Sequence, residues 1–194
     1  MKIAFQLFQH YISQRAVTKV LRKEDEMRYA FFLALLGSGR YVQTNIELEV
    51  GHPILPTIEI DTIVRAVGTA PEYAIEFKYD KLPAGAGYNL PMPQKAGKLF
   101  NDLLRLAHYP NRATRFLVYL TDRVMDAYMA SNYTIFYSPT TQNHTFAINQ
   151  AFWVDRPKVF HQQLQHPLIN FQTRVIYESA GMINGLKLKI FEVC

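Results

Sequence analysis

Asp61, Glu76 and Lys78 are the residues whose types and spacing could do chemistry in this chain. Asp61 interrupts a strand-like run, Thr57-Ile-Glu-Ile-Asp-Thr-Ile-Val64, and a second run, Glu72-Tyr-Ala-Ile-Glu-Phe-Lys78, carries the other two. Strand side chains alternate between faces, so Glu76 and Lys78 emerge on one side while Ile75 and Phe77 emerge on the other, toward a core. Asp61 on the neighbouring strand can complete the cluster. Two carboxylates and an ammonium on a partly buried sheet cost free energy through desolvation and like-charge repulsion, unless a divalent cation or a substrate compensates. The pattern points to a metal site.

The elements that must position these residues follow from hydrophobic spacing. From about Arg15 to Leu36 the pattern is helical, with a break near Lys23 and Gly37-Ser-Gly39 as the stop. Tyr41 to Val50, Thr57 to Val67 and Glu72 to Tyr79 read as three strands, separated by Gly51-His-Pro53 and by the turn around Gly68 to Pro71. A glycine- and proline-rich loop from Leu82 to Pro93 follows the charged strand. Gln94 to His108 returns to helical spacing, and Thr114 to Leu120 is a continuous apolar run of the kind buried on both faces of a sheet. A short helix is predicted over Asp122 to Ser131. Aromatic, alternating segments at Tyr133 to Tyr137, Thr145 to Val154, Phe171 to Glu178 and Leu186 to Val193 predict an antiparallel elaboration.

At 194 residues and 49% hydrophobic content, the chain suits one substantial core, so a single domain is expected, with a core over about 15–125 and the β elaboration over 126–194. The formal charge of +5 is a mild bias toward a polyanionic partner. Cys194 is the sole cysteine, which excludes an intramolecular disulfide and a cysteine-rich zinc module and suits a reducing, cytoplasmic setting. The N-terminal stretch lacks the continuous apolar core of a secretory signal. The run Ala30 to Leu36 is far below the ~20 residues needed to cross a bilayer, so no membrane is expected as a partner.

With Asp61, Glu76, Lys78 and this order of elements, the chain resembles the PD-(D/E)xK nuclease superfamily over roughly Lys23 to Asp122. The resemblance implies an α/β, restriction endonuclease-like fold: an α-β-β-β-α-β core with a mixed central sheet flanked by helices. It assigns Asp61 and Glu76 as metal ligands and Lys78 as the residue that positions or activates the attacking water. It also implies an acidic residue on the first core helix, for which Glu24 is preferred and Glu26 held in reserve. Ile60 stands where the family's eponymous proline would be.

Phosphodiester hydrolysis needs a more nucleophilic water, neutralisation of charge on the phosphoryl oxygens and help for the leaving alkoxide. Mg²⁺ takes one or two protein carboxylates, which matches Asp61 and Glu76 with the backbone carbonyl of Phe77 as a further ligand. Mn²⁺ is expected to substitute. Nucleic acid, DNA in the first instance, is the expected partner, and a homodimer would suit the cutting of both strands of a duplex. Lys95, Lys98, Arg105, Arg112 and Arg115 are candidate phosphate contacts, although a solvated helix face would explain them equally well. Two alternatives to a nuclease stand: a non-catalytic nucleic-acid-binding or interaction protein with the same fold, and a protein that self-associates through its aromatic C-terminal sheet. The six histidines lack zinc-ligand spacing, and no phosphate-binding Gly-Lys-Ser/Thr loop occurs.

Overall fold

Apolar residues at helical spacing start the chain. Ala4, Phe5, Phe8 and Ile12 line the buried side of α1 (Lys2–Val17), and Met27, Ala30, Phe31, Ala34 and Leu35 that of α2 (Glu24–Gly37). The computed structural model describes residues 1–17, 23–65, 71–81, 91–137 and 145–194. The predicted turn at 68–70 and residues 82–90 of the glycine- and proline-rich loop lie outside them. The helix expected over Arg15 to Leu36 is two elements here, and α1 begins well before the predicted start. Glu24, Asp25 and Glu26 occupy the first turn of α2, where the helix dipole favours negative charge.

Among the described residues seven strands form one mixed sheet: β1 (Ile46–Gly51), β2 (Glu59–Arg65), β3 (Pro71–Asp80), β4 (Thr114–Asp122), β5 (Thr145–Ile148), β6 (Phe171–Glu178) and β7 (Leu186–Val193). Their spatial order is β1-β2-β3-β4-β7-β6-β5, and of the neighbouring pairs β3 and β4 are parallel and the others antiparallel. The parallel pair requires a crossover, supplied by α3 (Met92–His108), with Pro93 in its first turn where no backbone donor is missed.

The two faces of the sheet carry separate apolar layers. On one side α1 and α2 cover Val64, Ile75, Phe77, Phe116, Val118 and Leu120. On the other, Leu99, Phe100, Leu103 and Leu106 of α3 pack on Ile63, Ala74, Leu117 and Tyr119. β4 is thus buried on both faces, as its unbroken apolar run predicts, and each such side chain contributes about 1.5–3 kcal/mol. Gly97 lets α3 approach the short helix α7 (Lys158–His161): a Cβ there would lie 2.5 Å from the Phe160 carbonyl oxygen.

The C-terminal third departs from an all-β elaboration. Residues after β4 form α4 (Arg123–Asn132), the short helix expected over Asp122 to Ser131, started by the Asp122 carboxylate accepting from Val124 N and Met125 N. Tyr133 to Tyr137 is helical in α5 (Thr134–Tyr137), not a strand, because Phe136 and Tyr137 both turn inward. Thr145 to Val154 is split: Asn149 accepts from Phe152 N at 3.3 Å and caps α6 (Gln150–Val154), ending β5, after which α7 follows. The β6–β7 hairpin closes on Asn184 and Gly185 at φ 48° and 82°, the left-handed pair of a type I′ turn. Because β7 pairs with β4, these strands extend the sheet that carries Asp61 and Glu76. Among the described residues no helix is long and apolar enough to cross a membrane.

Candidate active site

The site begins where β1, β2 and β3 lose their regular pairing. Leu48 pairs with Thr62 and Val50 with Ile60, which leaves Glu49 opposite Asp61 with φ 53°. A left-handed conformation costs a non-glycine residue roughly 1–2 kcal/mol. Ile60 and Ile63 both belong to the α3-side core although they are three residues apart, so strand alternation slips at Asp61. Glu49 is exposed, and its ion pair with Arg28 at 3.1 Å is worth little in water. Glu49→Gly is therefore expected to stabilise the fold by about 1 kcal/mol, read as a higher urea midpoint. An unchanged or lower midpoint would mean that the kink is not strained.

The slip frees the Asp61 carboxylate to replace a missing strand partner: its Oδ2 accepts from Phe77 N at 2.8 Å. Its Oδ1 lies 3.0 Å from Arg28 Nη2. The Asp61 and Glu76 carboxyls also adjoin, close enough for each to act on the other's ionisation. Glu76 is 1% exposed, and Arg105 Nη1 donates to both of its oxygens at 3.1 Å. Burial above all, then the Asp61 charge, pushes the Glu76 carboxyl well above its ordinary range, against the pull of Arg105. Burial also raises Asp61, while the Phe77 N–H and Arg28 hold it down. Of the pair, Glu76 is accordingly the harder to ionise.

Lys78 projects on the same side of β3 as Glu76 and meets α3, where its Nζ is 3.0 Å from Asp102 Oδ2. Burial alone would lower the lysine, but the Asp102 and Glu24 carboxylates outweigh it and hold the ammonium above its usual value. Glu24 accepts from Tyr79 N at 3.2 Å and lies 3.5 Å from Arg28 Nη2. Burial raises this carboxyl too, with Lys78 opposing. Glu26 instead accepts from the Lys23 backbone N–H at 3.2 Å, at the start of α2. Glu24 and Glu26 thus have different tasks, and Glu24 is the one next to the cluster.

Asp102, the reach of Arg28 to Asp61 and the inward position of Arg105 are what the sequence did not reveal. Asp102 joins Lys78 to Arg105, whose Nη2 is 3.4 Å from Asp102 Oδ1. Beneath Arg105, His52 accepts from Ile54 N and Leu55 N through Nδ1 and bonds the Arg105 carbonyl through Nε2, anchoring the turn after β1 to α3. Their only sequence signal is spacing: Arg28 follows Glu24, and Arg105 follows Asp102, by one helical turn.

The remaining candidate phosphate contacts divide. Lys98 and Arg112 are exposed. Lys95 is buried and faces the charge of Asp80. Arg115 is turned inward: its guanidinium donates to the carbonyls of Val193, Ala107 and Tyr109, at 3.1, 3.3 and 3.2 Å. It ties the end of α3 to the sheet, and a phosphate would have to displace those bonds.

Four acids (Glu24, Asp61, Glu76, Asp102) thus meet three cations (Arg28, Lys78, Arg105) in one partly buried cluster. Among the described residues no three His, Cys, Asp or Glu side chains converge as a preformed metal site. The donor set nevertheless suits a hard divalent cation. Asp61 and Glu76 offer adjacent oxygens whose charges oppose each other, and acids outnumber bases. Arg105 and Arg28 stand against these oxygens and would have to withdraw. Comparison with protein-family models, with curated proteins and with solved structures finds no match for this chain.

Proposed function

We propose that the chain is a metal-dependent nuclease with a restriction endonuclease-like core, hydrolysing phosphodiester bonds, in DNA by first expectation. The observation that carries this reading is the Asp61–Glu76 carboxyl pair at the parting of β2 and β3, with Lys78 beside it on the same strand. Asp61 and Glu76, with the Phe77 carbonyl, would hold Mg²⁺ or Mn²⁺, which would neutralise charge on a scissile phosphate and acidify an adjacent water. Lys78, held as a cation by Asp102 and Glu24, is unsuited to take a proton at neutral pH. Its part is to donate: to orient the attacking water and to offset charge on the phosphoryl oxygens. Lys98 and Arg112, both exposed, would be free to make phosphate contacts away from the cluster.

A second reading, a nucleic-acid-binding protein without turnover, is favoured by Arg28 and Arg105, which already neutralise the carboxylates a metal would need. Cleavage of supercoiled plasmid and of a single-stranded oligonucleotide, with Mg²⁺, Mn²⁺, Ca²⁺ or EDTA, separates the two. The nuclease reading expects cutting with Mg²⁺ or Mn²⁺ that falls by about 10³-fold or more in Asp61→Ala and in Lys78→Ala. Salt-dependent DNA binding with no cutting under any of these metals would leave the binding reading.

A further inference from the structure

Beside the cluster, between α2 and β1, lies an open cavity of about 380 Å³ lined by Asp25, Arg28, Tyr29, Phe32, Leu48 and Glu49. Its volume falls within the ~300–1,000 Å³ of small-molecule sites. Tyr29, Phe32 and Leu48 make its apolar wall, and two of these are unusually open to solvent: Tyr29 is 56% and Leu48 53% exposed. Arg28 is common to the cavity and the cluster, reaching Asp61 at 3.0 Å with one nitrogen and Glu49 at 3.1 Å with the other. The Glu49 backbone is kinked into the left-handed region at this wall, and such departures gather at binding sites. The Arg15 guanidinium lies over the Tyr29 ring, 5.3 Å from its centroid, and holds it as a wall of the cavity.

A crevice with an aromatic wall, apolar sides and two carboxylates takes a flat, neutral ring bearing N–H donors. The same carboxylates disfavour a phosphate inside it. We propose that the cavity is a nucleobase subsite, which receives the base of an unpaired nucleotide adjoining the phosphate at Asp61. Tyr29 and Phe32 supply the stacking and apolar walls, and Asp25 and Glu49 accept from amino and ring N–H groups. The inference rests on the nuclease reading for the position of the phosphate, and it makes that nuclease one that prefers single-stranded or unpaired substrate, since a paired base cannot enter.

The test is binding without turnover. Short fluorescein-labelled oligonucleotides, single-stranded or as blunt duplexes of the same length, are titrated with the full chain in Ca²⁺ and followed by anisotropy. The parent is expected to bind the single strand more tightly than the duplex. Tyr29→Ala and Leu48→Glu are expected to weaken the single strand about tenfold while leaving the duplex unchanged, and Tyr29→Phe to retain parent affinity. Both side chains are largely exposed, so the fold tolerates these changes. Single-strand affinity unchanged in Tyr29→Ala and Leu48→Glu, or lost equally for both substrates, would overturn the subsite. Metal-dependent cutting that needs Asp61, with Tyr29→Ala binding as the parent does, would sink the subsite and leave the nuclease. Selective loss of single-strand binding in a chain that cuts nothing would do the reverse.

Discussion

Arg105→Ala is expected to cost about 3–5 kcal/mol of stability near neutral pH, the range for stranding a buried charge. Arg105 gives one nitrogen to both oxygens of Glu76 and another to Asp102, and those acids are 1% and 6% exposed. Removing the guanidinium leaves two inaccessible carboxyls with Lys78 as the remaining close cation on this side of the sheet. The loss has a pH signature. Without Arg105 the Glu76 carboxyl is pushed still higher, so it is protonated over a wider range, and the penalty of an unpaired carboxylate fades as pH falls toward its unfolded value of 4.5. Urea denaturation at about pH 8 and about pH 5 should therefore show a large gap between parent and variant that narrows in acid. A gap of equal size at both would mean that Arg105 matters for packing and not for charge.

Glu76→Gln is expected to separate stability from activity. The native Glu76 carboxyl titrates above its unfolded value, chiefly through burial and then through Asp61. A group raised in this way contributes stability below its unfolded pKa of 4.5 and loses that contribution as pH rises through the native value. Glutamine keeps the shape, can donate to Asp61 and still accepts from Arg105, but it cannot ionise. The variant should be more stable than the parent near neutral pH by the order of 1–3 kcal/mol, with a flatter dependence on pH above 4.5. On the nuclease reading its metal-dependent cleavage should fall by about 10³-fold or more. A variant that is less stable than the parent would show that Arg105 outweighs burial at Glu76. A variant that still cuts would remove Glu76 from the site.

The strand pair that carries the cluster is legible in sequence because its signal is local. Alternation in Glu72 to Lys78 and the polar break at Asp61 are visible residue by residue, and the apolar run of β4 announces a strand covered twice. What escapes is the partner of each charge. Lys95, Asn101 and Asp102 read as the solvated side of a helix, yet all three are buried, because the side of α3 beneath the site faces other polar groups. Asn101, for instance, accepts from Gln165 N at 2.7 Å. Arg115 reads as a surface cation at the mouth of an apolar strand, whereas it satisfies carbonyls at the end of α3. Tyr133 to Tyr137 has strand-like aromatic content, but five residues hold no period long enough to distinguish a strand from one turn of helix. The missing first helix is a different matter: Ala4, Phe5, Phe8 and Ile12 have clear helical spacing, which a search for a continuous apolar segment passes over.

The position of β7 between β4 and β6 has a consequence for how the molecule is made. The cluster draws on residues from Glu24 to Arg105, all of which leave the ribosome well before β7 does. Arg115 and Val193, joined by a hydrogen bond, are 78 residues apart in the chain. Contacts of such separation form slowly, so β4, the strand of the sheet with the most buried residues, waits with one edge unpaired. During that interval the nascent chain presents a ready template to any other extended segment. Heat or denaturant that peels β7 away recreates the same open edge, which makes the far end of the chain the guardian against clumping of the half that holds the charges.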